Sequence, residues 1–201
     1  MNNVTRFPLS VSRLLRSAFR FPLLLTGNGE RRTGNGFIVL LLVALAALHF
    51  TPVTGAATPS PGVQLNVDNT SPRRVEEQTR KAVVRDYGAA WVALGKALDQ
   101  NRPDQLGDLW TGFARQQFVA AIVQQKESGL RVRYVDNGHQ LDGIFYSPEG
   151  RALELRDTAQ LQQELLDGDT VVQSQKVTAH FLVVMTPTAD HWQVRILQSV
   201  P

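Results

Sequence analysis

The longest apolar stretch of the chain is GFIVLLLVALAALHF, residues 36–50, and nothing after it is as continuously hydrophobic. Its uninterrupted core, 37–48, is shorter than the roughly 20 residues that cross a bilayer. Continuing through His49, Pro52 and Gly55 to Ala57 restores the length, so residues 36–57 are expected to form one transmembrane or signal-anchor helix. Small residues at 54–57 also suit cleavage by signal peptidase, although a head of some 35 residues is long for a cleaved signal. Residues 51–71, TPVTGAATPSPGVQLNVDNTS, are rich in Pro, Thr, Ser, Gly and Asn and read as linker, which spans 58–71 when the anchor runs to Ala57.

From residue 72 the apolar positions become periodic. Ser71-Pro72 has the form of a helix opening, and Val75, Ala82, Val83, Tyr87, Ala90, Trp91, Leu94, Ala97 and Leu98 follow at three- and four-residue steps. Asn101, Arg102 and Pro103 end that helix. Leu106, Leu109 and Trp110 fit a short helical turn, and a further helix is expected from about 113 to 128 with Gly129 as its stop. After Gly129 the period falls to two, the spacing of half-buried strands. Asn137-Gly138 and Ser147-Pro148-Glu149-Gly150 predict turns between strands near 130–136, 140–146 and 151–156. Residues 158–167 fit either a short helix capped by Asp157 or an irregular edge. Long strands near 170–186 and 191–199, joined by a hairpin, are expected at the sheet's centre. Helices first and an antiparallel sheet afterwards is an α+β pattern.

Charge changes the picture of the N-terminus. Arg6, Arg13, Arg16, Arg20, Arg31 and Arg32 precede the apolar run with one acid, Glu30, among them. Of 21 Lys/Arg and 18 Asp/Glu, all but these seven lie beyond it, so the remainder is slightly acidic. The basic tail, 1–35, keeps the N-terminus cytoplasmic and the C-terminal domain extracytoplasmic, in a periplasmic or extracellular space. The tail can equally form a surface-lying amphipathic helix, and its acid-poor start resembles an organelle transit peptide. A slightly acidic domain gives no support to nucleic-acid binding.

The order of elements, with WVALGKALDQNRPDQLGDLWTG leading into the last helix and HWQVRILQSV closing the chain, resembles the NTF2-like (cone-fold, SnoaL-like) superfamily over about 75–200. The resemblance implies N-terminal helices packed on a curved antiparallel sheet in a domain spanning 72–201. The anchored layout is similar to membrane-tethered members that work by protein contact, among them organelle-division proteins with an intermembrane-space domain. Such a chain is expected to act as a protein-interaction or scaffold module in the cell envelope, with a protein partner or self-association. Other members are cyclases, isomerases and dehydratases whose cone holds Asp, His or Tyr, which leaves open a small hydrophobic ligand or a proton-transfer activity.

Within that alternative, Asp86 and Tyr87 can supply a base and an oxyanion donor, and His180 can look into the cone. Against it, consecutive helical residues point roughly 100° apart. Tyr87 lies on the apolar stripe, Asp86 is placed to be a solvated acid, and His180 can equally face water. His139 and Asp142 read as polar groups flanking a turn. Arg115, Arg131 and Arg133 can form a basic docking patch or a solvated edge. Four scattered histidines and no cysteine leave no zinc-type cluster, and no cofactor loop is present, so neither a metal nor a cofactor is expected. Trp91, Trp110 and Trp192 are expected in the core.

Overall fold

The computed structural model describes residues 62–200. The expected tail and the 36–57 anchor lie outside the described residues, among which no helix is long and apolar enough to cross a membrane. In chain order the elements are β1 (Val63–Asn66), β2 (Ser71–Pro72), α1 (Glu77–Asp99), a 3-10 turn (Pro103–Leu106), α2 (Gly112–Glu127), β3 (Leu130–Tyr146), β4 (Leu153–Asp167), β5 (Thr170–Pro187) and β6 (Trp192–Val200). The strands form a curved sheet in the order β1-β3-β4-β5-β6, with β2 also pairing β3. β1 and β2 run parallel to β3, and the remaining pairs are antiparallel.

Strand structure is present ahead of the expected domain boundary at residue 72. The Val63-Gln64-Leu65-Asn66 alternation pairs with residues 139–142 of β3 and buries Leu65, inside the stretch whose composition reads as linker. Ser71 and Pro72 do not open the long helix; they pair with Phe145 and Tyr146 at the sheet margin, a place where a residue without an N–H is tolerated. α1 starts at Glu77, whose charge suits the positive helix end. Its buried stripe, Val83, Tyr87, Ala90, Trp91, Leu94, Ala97 and Leu98, is the expected one.

The sheet departs from expectation at three places. Asn137-Gly138 is a bulge inside one continuous strand, because Asp136 pairs with Leu161 and Gly138 with Gln160, leaving Asn137 unmatched. Gly138 has φ +129°, and a Cβ there would stand 3.1 Å from the Gly62 carbonyl that accepts from His139 N. Residues 158–167, neither helix nor irregular edge, belong to β4 and are paired on both sides. The centre of the sheet is β4, whereas β6 lies at an edge that is covered where Thr111 N and Val194 N bond to Val194 O and Leu109 O.

The core between helices and sheet is largely aromatic. Trp91, Trp110 and Trp192 are all buried, with Trp91 and Trp110 packed edge to face at 6.4 Å. Trp110 Nε1 donates to Ala90 O at 2.7 Å, which satisfies the indole inside the core. Phe118 of α2 meets Trp110 at 4.7 Å, and Phe181 of β5 meets Trp91 at 5.9 Å. At the far end of the helices, Gln125 of α2 donates to Leu98 O and to Asn101 Oδ1, tying the two helices together.

Candidate functional site

The concentration of polar chemistry in this interior is a bonded set of four side chains. In a regular strand Asp136 and His139 would face opposite sides of the sheet, since their separation is odd. The bulge at Asn137 shifts the phase by one residue, so both turn toward the helices. On β4, Asp157 occupies the inward phase between Leu155 and Ala159, all three buried. His139 pairs with Ala159 and Leu141 with Asp157, which makes His139 and Asp157 diagonal neighbours on one face.

His139 Nδ1 lies 2.8 Å from Asp157 Oδ2, and Nε2 lies 2.9 Å from Asp136 Oδ2. Tyr87 Oη, reaching down from α1, donates to the same Asp157 Oδ2 at 2.7 Å. Asp157 Oδ1 and Trp91 Nε1 are buried without a hydrogen-bond partner among the described residues. The Trp91 ring lies 4.5 Å from the imidazole, tilted by 40°, and the Tyr87 ring approaches it edge-on at 5.4 Å. Burial pulls the imidazole pKa down, but the bonds to Asp136 and Asp157 and their charges outweigh it and lift the value to about 9. Burial, reinforced by the Asp157 charge, pushes the Tyr87 phenol well above its ordinary range.

At neutral pH His139 is therefore an imidazolium with both N–H groups donated. It has no lone pair with which to accept a proton, and neither N–H is left to polarise a substrate. A general base needs a free lone pair, whereas here both ring nitrogens lie against carboxylates. What it does is join β3, β4 and α1 through charge-assisted bonds across the middle of the fold. It lies in a core that also holds Trp91, Phe181, Leu155 and Leu161. Among the described residues no group of three His, Cys, Asp or Glu side chains is arranged to hold a metal ion.

The residues singled out from the sequence fall in different places. Tyr87 is a buried core residue, as its position on the stripe implies. Asp86 is buried rather than solvated: its Oδ2 accepts from Trp192 N at 2.7 Å, and Arg85 covers it from solvent with a bond to Oδ1 at 2.7 Å. His180 lies on the outer face, exposed, with Thr158 Oγ1 3.2 Å from its Nδ1. The fold thus separates His180 from Tyr87 and does not assemble the three into one lining. His139, expected beside a turn, is instead the residue on which the buried set converges. Arg131 bonds Gly168 O and Asp169, Arg133 bonds Glu164 through two nitrogens, and Arg115 bonds Gly107 O, so the three cations are each engaged locally.

Sequence reasoning missed Asp136, His139 and Asp157. The signal for Asp157 is its phase, an acid at an inward position of an alternating LELRDTAQL segment. Clefts lie elsewhere among the described residues. One of about 380 Å³ is lined by Asn137, Gln160 to Gln162 and Lys176 to Thr178, and another, of about 450 Å³, lies between β1 and the Arg80, Lys81 and Arg85 side of α1.

No protein-family model matches the chain, and no curated protein matches its sequence. Among solved structures, the intermembrane space region of the chloroplast protein ARC6 is similar at 14% identity, covering 64% of this chain and 98% of that one, with a TM-score of 0.53. That likeness shows a shared fold. Looser similarity extends to a dehydratase-like protein of the NTF2-like family from Streptomyces avermitilis (13% identity, 60% and 97% covered, TM-score 0.41). It extends also to a scytalone dehydratase-like protein from Novosphingobium aromaticivorans (9% identity, 63% and 89% covered, TM-score 0.43). The α+β architecture, two helices on a curved sheet, fits the expected NTF2-like cone.

Proposed function

We propose that this chain is a membrane-anchored protein-interaction module, held by residues 36–57 with its N-terminus cytoplasmic and its NTF2-like domain extracytoplasmic, where it serves as a scaffold. The observation that carries the reading is the state of His139. The central titratable group of the interior has both ring nitrogens bonded to carboxylates, with the Trp91 and Tyr87 rings packed on it and a core of aromatic and aliphatic side chains about them. An interior built this way favours contact through the surface over the alternative of ligand binding or proton transfer in the cone.

The surface offers apolar positions for such contact. Val135 and Phe145 on β3, Val171 and Val172 at the start of β5, and Phe113 and Val123 on α2 are large, hydrophobic and exposed. The basic-patch idea gains little, since Arg131 and Arg133 already have acidic neighbours. Extracytoplasmic placement rests on the arginine-rich tail before the apolar run. It is in keeping with the likeness to a region that occupies an intermembrane space.

The test is site-specific photo-crosslinking in intact membranes, with the reactive residue placed in turn at Phe113, Val135, Phe145 and Val172. Protein adducts are expected from at least one of these positions. Absence of adducts at all four, together with a small molecule retained on purification, would favour the cone as a binding chamber. The anchor is tested separately by single cysteines at Asn3 and Thr188 in this cysteine-free chain. A membrane-impermeant maleimide applied from outside should label the second and spare the first.

A further inference from the structure

The first half of β5 is an open edge. β6 pairs with β5 only from His180 to Pro187, whereas β4 pairs with it from Thr170 onward. Residues 170–178 therefore have β4 on one side and no strand on the other among the described residues. All of residues 170–174 are exposed, as are Lys176 and Thr178, and Val171 and Val172 are among the largest exposed apolar side chains. A row of unpaired backbone donors and acceptors about 30 Å long invites another strand.

The sequence of this edge, TVVQSQKVT, reads nearly the same in both directions about Ser174. We propose that a second copy of this chain occupies it, the two β5 edges pairing antiparallel about a two-fold axis at Ser174. This deepens the interaction reading above, on which it rests, by naming the partner and the surface. In that register Ser174 faces Ser174 and Gln173 faces Gln175 of the other copy, pairs of hydroxyls and of amides that suit an antiparallel ladder. Val172 is the extra residue of a bulge in β5, and beyond it the phase shifts by one, so that Val171 meets Lys176 and Thr170 meets Val177.

Two further features fit this register. A register centred on Lys176 would set ammonium against ammonium, which opposes pairing, and one centred on Gln175 would set Lys176 against Ser174 and Val177 against Gln173, mixing unlike side chains. The Ser174 register instead lays each lysine stem along a valine and separates the two charges by about 13 Å, beyond the screening length at physiological salt. Its extent also matches the space: the pairing ends at Val177, before β6 takes over the same side of β5 at His180. The second copy's strand continues the line of β6, antiparallel to β5, and the two sheets become one. A lysine and a bulge are also devices that protect edges from promiscuous pairing.

The experiment uses the full chain, which contains no cysteine. Ser174→Cys places thiols opposite each other at the axis, where Cα separations of about 4.5–5.5 Å lie within the range a disulfide spans. Under mild oxidation in micelles or native membranes, Ser174→Cys is expected to form a covalent dimer at least tenfold faster than the equally exposed Lys176→Cys or Thr178→Cys. A mixture of Gln173→Cys and Gln175→Cys chains should give the mixed dimer in preference to either homodimer. Equal rates at all positions, or no dimer at Ser174, would overturn the proposal. Dimers by light scattering without the Ser174 crosslink would overturn this surface while leaving the interaction reading intact. A monomer that still gives heterologous photo-adducts would do the same.

Discussion

The pH dependence of stability tests the His139 pairing, with His139→Gln separating it from the other three histidines of the chain. An imidazole in an unfolded chain titrates near 6.5, and in the fold His139 is lifted to about 9 by Asp136 and Asp157. At roughly 1.4 kcal/mol per pH unit, this protonation contributes on the order of 3 kcal/mol to stability. The native value lies above the unfolded one, so the folded state holds the extra proton through this window. The contribution is complete below about pH 6.5 and is lost as pH rises toward 9 and beyond. Urea unfolding of the full chain in micelles, followed by tryptophan fluorescence at intervals from pH 6 to 9.5, should show stability falling by about that amount. His139→Gln, which retains a donor but cannot titrate, should be less stable at pH 6 and nearly flat across the same range. If His139→Gln fails to fold, Asp136→Asn gives the same information, because removing one carboxylate should shift the fall to lower pH. A wild-type profile that is level between pH 6.5 and 9, or a His139→Gln profile that keeps the slope, would refute the imidazolium assignment.

Further outcomes follow from the packing. Gly143→Ala drives a methyl into the Thr70 side chain that lies over a second bulge of β3, between Gly143 and Phe145, and is expected to cost about 1–3 kcal/mol in thermal unfolding; adding Thr70→Ala should recover part of the loss. Trp110→Phe leaves the Ala90 carbonyl without its indole donor and should lower stability by about 1–3 kcal/mol in chemical denaturation. Arg133→Ala removes a partly exposed pair with Glu164 and should change stability by less than about 1 kcal/mol, an effect that shrinks with added salt.

Much of the fold was legible because the helices obey their period. The stripe from Val83 to Leu98 and the stop at Gly129 appear in the structure as the spacing implies. The sheet was harder to read where function-like polarity interrupts the alternation. β4 keeps a period of two through residues 153–163, but two of its inward positions are Asp157 and Gln163, so the apolar signal breaks and a helix becomes an equal reading. Asn137-Gly138 has the residues of a tight turn, yet the strand continues through it because one extra residue is absorbed as a bulge. That bulge also explains why the buried set was invisible: Asp136 and His139 share a face only after the phase shift. No local pattern announces that a carboxylate 18 residues away will sit against His139. Asp86 was misread for a related reason, since its partner, the Trp192 amide, is 106 residues distant.

The most direct measurement is a ring-nitrogen NMR spectrum of histidine-labelled full chain at pH 7.5, assigned through His139→Gln. The account predicts that Nδ1 and Nε2 of His139 both carry protons in slow exchange with water, and that small apolar molecules leave their shifts unchanged. A neutral ring with one nitrogen bare, or shifts that move when such molecules are added, would contradict a closed interior and return the cone to chemistry.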